Sequence, residues 1–300
     1  MGKKQQRALS LLSRRKRIAV ILIAALIAIV LICIIVFLRI GKSPDAPVLA
    51  AAGYAVYDLG AGKALYEHKP QAEVGLGSLT KLMPLYICLQ ELADGAVTLD
   101  DMVTVSGNAA RKGGSVVQLE EGAEISLDAL LYCVLMPSGN DAITAISEHI
   151  CASEQAMVER MNELAAELGM AGTRYADCAG LNEHDNVSTT HDIAILARAI
   201  LEIYPQITDY TSIRETTVRY SRGGEEIVRT FSSTNKLLAS MPGVYGLKTG
   251  TTQNSCNVVV LCNDGSADLM AIVLGAPDDM ARWSGASAML RYGQELLSNH

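Results

Sequence analysis

Ser78 and Lys81 stand three residues apart in Gly75-Leu-Gly-Ser-Leu-Thr-Lys-Leu-Met-Pro-Leu-Tyr-Ile-Cys-Leu-Gln90, a Gly-flanked loop that runs into an apolar helical pattern. Residues three apart on a helix lie one turn up on the same face, so the lysine amine can rest against the serine hydroxyl. A hydroxyl becomes a useful nucleophile once a base is within hydrogen-bond reach. First-turn N–H groups and the helix dipole put positive potential where an oxyanion would form. The stretch reads as a serine acyl-transfer site.

S-x-x-K by itself is weak, and the chain holds three copies. Ser13 to Lys16 precedes a long apolar run, and Ser233 to Lys236 precedes no helical pattern; only Ser78 to Lys81 opens an apolar helix. S-G-N occurs twice. Ser106-Gly-Asn108 ends an expected strand, whereas Ser138-Gly-Asn140 sits between two expected helices. Lys248-Thr-Gly250 occurs once, on an expected strand, with Gly246 and Gly250 leaving room for a substrate backbone. Taken singly, Ser78 is an N-cap, Lys81 a solvated first-turn lysine, Ser138 and Asn140 loop caps, and Lys248 an exposed strand lysine. The three clusters together, in this order, are far more specific than any of them.

The combination resembles the active-site motifs of the low-molecular-weight penicillin-binding proteins, the serine D-alanyl-D-alanine carboxypeptidases of peptidase family S11. Flanking text is similar too: Leu135-Met-Pro-Ser-Gly-Asn-Asp-Ala142, Asn235-Lys-Leu-Leu238 and Gly246-Leu-Lys-Thr-Gly-Thr251. The resemblance covers most of residues 53–295. It implies that Ser78 is the acylated nucleophile, Lys81 its general base and Ser138 the relay of a proton to the leaving amine. Asn140 would hold Lys81 and the substrate amide. Lys248, Thr249 and Gly250 would receive the donor's C-terminal end, and the N–H groups of Ser78 and Thr251 would form the oxyanion hole. The substrate implied is a peptidoglycan stem peptide ending in D-Ala-D-Ala, with β-lactams as acylating inhibitors and no cofactor or metal.

The physics runs the same way. A lysine with an ordinary pKa of about 10.4 is protonated at neutral pH and cannot accept a proton. Burial beside a second cation, Lys248, disfavours its charged form.

Outside these clusters, Ile18 to Leu38 is a run of 21 residues without a charge. At about 1.5 Å per residue it is long enough to span a hydrocarbon core of roughly 30 Å. A cleaved leader has a shorter apolar region, so a retained signal anchor fits better. Seven basic residues precede the run, so the positive-inside rule leaves the N-terminus cytoplasmic and exports the rest. Residues 1–44 hold nine of the 25 Lys and Arg and none of the 32 Asp and Glu. The exported part is thus strongly acidic, which argues against nucleic acid as a partner. The expected organisation is a basic tail over 1–17, a single membrane span over 18–38, a linker over 39–50 and an extracytoplasmic catalytic domain over 51–300. The N-terminal span would take the place of the C-terminal anchor common in the family. Of the seven cysteines, Cys33 lies in the apolar run. Cys88 and Cys133 fall in helical patterns as small buried hydrophobes.

Positioning elements follow from periodicity and turn residues. Tyr54–Leu59 and Ala64–Tyr66 read as a hairpin, and the Ser78 helix should stop near Asp94-Gly95. Pro84 should bend that helix or delay its start. Met102–Val105 reads as a strand, and Ser126–Met136, Asp141–Ile150 and Ser153–Leu168 as helices. Thr189 to Asp192 looks like a capping box before a helix to Leu201. Thr216–Tyr220 and Glu226–Phe231 suggest a hairpin around Gly223-Gly224. Val244–Gly250, Cys256–Cys262 and Leu269–Gly275 read as strands, and Asp279–Ser298 as a closing helix. Strands at both ends with helices between them give an α/β (α+β) fold. In the resemblance, this is a β-lactamase/transpeptidase-like antiparallel sheet made by both termini, flanked by helices and carrying a helical subdomain.

The chain departs from the family's text in four places. Leu76-Gly77 replaces Pro-Ala, Pro84 enters the nucleophile helix, Asp177-Cys-Ala-Gly-Leu181 replaces Asn-Pro-His-Gly-Leu, and Tyr245 stands where many members carry Asp. A β-lactamase is the nearest enzyme alternative, but Cys178 occupies the place of its deacylating Glu before Leu181-Asn182. A non-catalytic wall-binding or penicillin-sensing membrane protein is the second class. For His149, His184 and His191 no ligand or triad pattern is present, and Asn186-Val-Ser188 is a sequon without consequence.

Overall fold

Apolar runs toward the two ends of the body form most strands of its largest sheet. In the computed structural model, which describes residues 25–31 and 44–298, the strands are β1 (Gly53–Asp58), β2 (Lys63–His68), β3 (Val74–Gly75), β4 (Met102–Thr104), β5 (Glu124–Ser126), β6 (Val187–Ser188), β7 (Glu215–Arg222), β8 (Glu225–Ser232), β9 (Val244–Thr251), β10 (Cys256–Asn263) and β11 (Asp268–Ala276). The main sheet is antiparallel, in the order β2-β1-β11-β10-β9. Both of its faces are covered. Ala55, Tyr57, Val259, Leu261, Met270, Ile272 and Leu274 point into the larger core, under the helices between the two strand groups. Tyr54, Val56, Val258, Val260, Ala271 and Val273 point the other way, against Ala286, Met289 and Leu290 of the Asp279–Ser298 helix. That two-sided burial is why these strands read as nearly continuous apolar runs.

Helix ends follow local chemistry. Ser126 caps the Leu127–Leu135 helix through Ala129 N–H, and Ser153 caps Glu154–Glu167 through Ala156 N–H. Thr189 caps Thr190–Ile203 through Asp192 N–H, but the box is only half made. The Asp192 carboxylate accepts from Gly172 N–H and the Thr173 hydroxyl instead of reaching back to Thr189. Ser106 does not end a strand; it caps the short helix Gly107–Ala110. The Gly223-Gly224 turn has both φ angles positive, as a two-residue hairpin loop requires. β4 and β5 join this hairpin in a four-stranded sheet, β4-β5-β7-β8, which periodicity did not foresee. The link between its halves is a single residue pair, Glu124 and Ser221.

Residues 46–297 form one compact body. Of the apolar run over 18–38, residues 25–31 are helical and exposed; the rest lies outside the described residues, as does the basic tail. Among the described residues no helix is long and apolar enough to cross a membrane. The six described cysteines are free thiols, with Cys88, Cys133, Cys178 and Cys262 buried. Asn186 is fully buried and donates to the Asp177 carboxylate, so the sequon is closed to modification in the folded protein.

The packing of the closing helix on the far face of the sheet can be tested by its contribution to stability. Leu290→Ala should lower stability by about 2–5 kcal/mol in equilibrium denaturation. A loss under about 0.5 kcal/mol would mean that this helix does not form the second core.

Candidate active site

The Ser78 segment begins as a 3₁₀ turn, Gly77–Lys81, and becomes an α-helix only over Leu82–Ala93. Pro84 is therefore the third residue of the α-helix, where its missing N–H has no carbonyl to serve. The 3₁₀ turn also has three residues per turn, which brings positions i and i+3 into register. Lys81 Nζ donates to Ser78 Oγ at 2.9 Å. Its second bond goes to the Ala179 carbonyl at 2.7 Å, rather than to Asn140 as the resemblance implied. The Asn140 amide N–H donates instead to the Gly113 carbonyl at 2.7 Å, and its Oδ1 is buried without a partner.

Lys81 is completely buried. Burial pushes its pKa down to about 7, with the acidic groups of Cys178, Asp177 and Asp141 pulling the other way. Lys248, also buried, sits well below an ordinary lysine because of burial first, then the nearby charges of Lys81 and Arg282. Its amine donates to Ser138 Oγ at 2.7 Å. The three sequence clusters thus meet. Ser78, Ser138, Asn140, Thr249, Gly250 and Thr251 line a single cleft of about 300 Å³, with Gly114, Ser115, Ala179, Gly180, Leu181, Glu183 and Thr234 completing its walls.

Close backbone crossings hold this arrangement. Gly77 has φ +52°, and a Cβ there would lie 2.5 Å from the Thr251 carbonyl oxygen. Gly250 leaves no room for a Cβ against the Leu76 carbonyl. The Ser78 turn is therefore pressed onto β9, the edge strand, beside Gly250 and Thr251. Ser138 adopts φ +68°, a left-handed conformation costing about 1–2 kcal/mol for a residue with a side chain. The flanking bonds Gly139 N–H to Cys133 O and Asn140 N–H to Ser115 O, at 2.9 and 2.7 Å, keep it there. Asp141 accepts from the N–H groups of Val117 and Leu119 and so ties the wall containing Gly114 and Ser115 to the same helix.

Several working residues were not visible in the motifs. Thr234 Oγ accepts from Thr249 Oγ at 2.9 Å, although it belongs to an S-x-x-K copy set aside as a decoy. A short helix, Leu237–Ser240, does follow that copy, and Asn235 ties it to the Gly246 carbonyl at 2.9 Å. Arg282, one of two arginines in the closing helix, is buried and donates to the Gly250 carbonyl at 3.1 Å and Thr251 Oγ at 2.9 Å. Asp177 organises the loop that the family writes differently. Its Oδ1 accepts from the N–H groups of Ala179, Gly180 and Leu181, and its Oδ2 from Asn182 N–H and the Asn186 amide. Burial alone would raise the Asp177 pKa, but these donors outweigh it and hold the carboxyl below its ordinary value. The Ala179 carbonyl that meets Lys81 is fixed by this nest.

His149 and His191 lie near Asp101 and Glu67, at 3.7 and 3.8 Å. Among the described residues no cluster of His, Cys, Asp and Glu could hold a metal ion.

Comparison with known proteins shows the family and the fold. Residues 40–278 match the model of the Peptidase S11 family, described as D-alanyl-D-alanine carboxypeptidase. The D-alanyl-D-alanine carboxypeptidase DacF of Bacillus subtilis is 32% identical over 241 residues, which is 80% of this chain and 61% of DacF. DacC of Escherichia coli is 31% identical, over 84% of this chain and 63% of DacC. The chain thus spans somewhat over three fifths of the length of these relatives. Penicillin binding protein 6B from Escherichia coli superposes with a TM-score of 0.76 at 31% identity, covering 85% of this chain and 80% of that one. The Streptomyces K15 DD-transpeptidase superposes with a TM-score of 0.78 at 25% identity, over 84% of this chain and 99% of that one.

Two outcomes follow from the site's electrostatics. Below a pH of about 7 Lys81 holds a proton and cannot take another, so acylation by benzylpenicillin should slow about tenfold per pH unit. Stopped-flow or quench measurements between pH 5 and 9 check this; a rate constant flat down to pH 5 contradicts it. Asp177→Ala should loosen the loop and displace the Ala179 carbonyl, with acylation falling by up to about 100-fold. Acylation of the Asp177→Ala protein at the unsubstituted rate would show that the nest does not position Lys81.

Proposed function

The chain belongs to the peptidase S11 family of D-alanyl-D-alanine carboxypeptidases, and from that premise we propose that it removes the terminal D-Ala from peptidoglycan stem peptides through an acyl-enzyme on Ser78. The observation that carries the reading is the buried Lys81 amine, held near neutrality and 2.9 Å from Ser78 Oγ. Neutral Lys81 takes the hydroxyl proton as Oγ attacks the carbonyl of the penultimate D-Ala. The N–H groups of Ser78 and Thr251 receive the oxyanion, each donor lowering the barrier by roughly 3–4 kcal/mol.

The C–N bond then breaks. Ser138 passes a proton to the departing D-Ala amine and is reprotonated by the one that Lys81 took from Ser78, which leaves Lys81 neutral again. Lys248, Thr249 and Thr234 hold the donor's C-terminal carboxylate, whose negative charge draws Lys248 back to its ammonium form. Asn140 offers its unpartnered Oδ1 to the donor's amide N–H. Water, activated by Lys81, then hydrolyses the ester and frees Ser78. In this reading the residues over 18–38 anchor the enzyme as a single span with the catalytic body outside the cell membrane, and β-lactams acylate the same serine.

Fast penicillin hydrolysis is not expected. At the position where a β-lactamase would carry its deacylating Glu, burial and Glu154 push the Cys178 thiol up to about 12. A protonated thiol is no base for a deacylating water. A non-catalytic binding protein would not need a lysine buried and poised near neutrality against its serine.

Intact-mass analysis after benzylpenicillin should show one slowly released adduct on the full chain and none on Ser78→Ala. Release of D-Ala from a stem pentapeptide should be lost in the same variant. A protein that is acylated yet frees no D-Ala is not the carboxypeptidase proposed; one that turns penicillin over rapidly is a lactamase.

A further inference from the structure

The cleft carries charge beyond its two lysines. At one end Lys248 and Thr249 form the amine- and hydroxyl-lined pole that suits a carboxylate. From there β9 runs past Gly250 and Thr251, beside Ser78, into the turn that contains Gln253. At that far end the Gln253 N–H donates to Glu183 Oε2 at 2.9 Å. Glu183 is half-buried on the cleft wall and makes no ion pair among the described residues. Its backbone is fixed as well: a Cβ on Gly75 would lie 2.7 Å from the Glu183 carbonyl oxygen, and the Asp177 nest secures the preceding Asn182. One carboxylate oxygen is thus held in place, and Oε1 has no hydrogen-bond partner among the described residues. The same side chain also borders the adjoining hollow lined by Leu181, His184 and Asn254, so it stands where the cleft opens.

An extended peptide laid antiparallel along the free edge of β9 would be read from end to end. Its C-terminal carboxylate meets Lys248, its scissile carbonyl meets Ser78, and the residues upstream continue toward Gln253 at about 3.3 Å each. Resting on the carboxypeptidase reading, we propose that Glu183 is the subsite for a side-chain ammonium on the residue just upstream of the acylated alanine. The preferred donor is therefore a stem peptide whose third residue is a diamino acid with its side-chain amine still free. A donor whose amine has been acylated, as in a cross-link, loses this contact and faces an unpaired carboxylate.

Binding can be measured without turnover on the full chain carrying Ser78→Ala, with Nα-acetyl-L-Lys-D-Ala-D-Ala and its Nε-acetyl derivative as probes in isothermal titration. The free-amine peptide should bind roughly fivefold more tightly, a gap that shrinks as salt is added. Adding Glu183→Gln, which keeps an acceptor for Gln253 N–H, should bring the two peptides to the same Kd. Glu183→Lys should reverse their order. Equal Kd values before the second substitution, a preference that survives Glu183→Gln, or no binding of the free-amine peptide overturns the proposal. The outcomes separate from those of the reading beneath it. D-Ala release at the same kcat/KM from both peptides by the unsubstituted chain removes the subsite and leaves the carboxypeptidase standing. A Kd preference lost with Glu183→Gln, but with no D-Ala release from either peptide, keeps the subsite and removes the carboxypeptidase.

Discussion

A lysine amine with no access to water is the constraint on which the site depends. Lys81 reaches Ser78 Oγ and the Ala179 carbonyl, is completely buried, and forms no ion pair among the described residues, although Asp177 and Asp141 act on its charge from nearby. Burying an ammonium ion without a paired charge is costly, and the group answers by giving up its proton. Stability lost in that burial appears as basicity available at neutral pH. The same reasoning extends to Lys248, whose proton is disfavoured by burial and by its cationic neighbours.

Keeping two lysines dry and close demands backbone that approaches backbone. Gly77 against Thr251, Gly250 against Leu76 and Gly180 against Gly77 are crossings in which a Cβ would collide. They stack three segments, the Ser78 turn, β9 and the Asp177 loop, into one layer. Arg282 reaches through from the closing helix to hold Gly250 and Thr251 from behind. The second core on the far face of the sheet therefore bears on the site, because it seats the helix that carries this arginine.

The Asp177 loop shows how a departure from the family's text is accommodated. Asp177 gathers five N–H donors onto one carboxylate, so Ala179, Gly180, Leu181 and Asn182 are set by backbone hydrogen bonds rather than by their own side chains. Pro84 is accommodated in a similar way. By starting the α-helix at Leu82, the chain turns an obstructive proline into an ordinary first-turn residue and gives Ser78 and Lys81 the three-residue register they use.

What could be read from the sequence was local. Short, nearly continuous apolar runs bounded by turn residues marked β1, β10 and β11, capping serines marked the starts of the Leu127–Leu135 and Glu154–Glu167 helices, and the ordered trio of polar clusters marked the cleft. These signals lie within a few residues of one another and reflect backbone geometry or side-chain type. Tertiary structure alone decided the partners: Ala179 rather than Asn140 for Lys81, Thr234 for Thr249, Arg282 for Gly250, and the joining of β5 to β7 across 97 residues through Glu124 and Ser221. Such contacts join points far apart in the chain, and their residue types are common. They exist because the fold brings them within 3 Å or so of each other, and nothing in the neighbouring sequence records that distance.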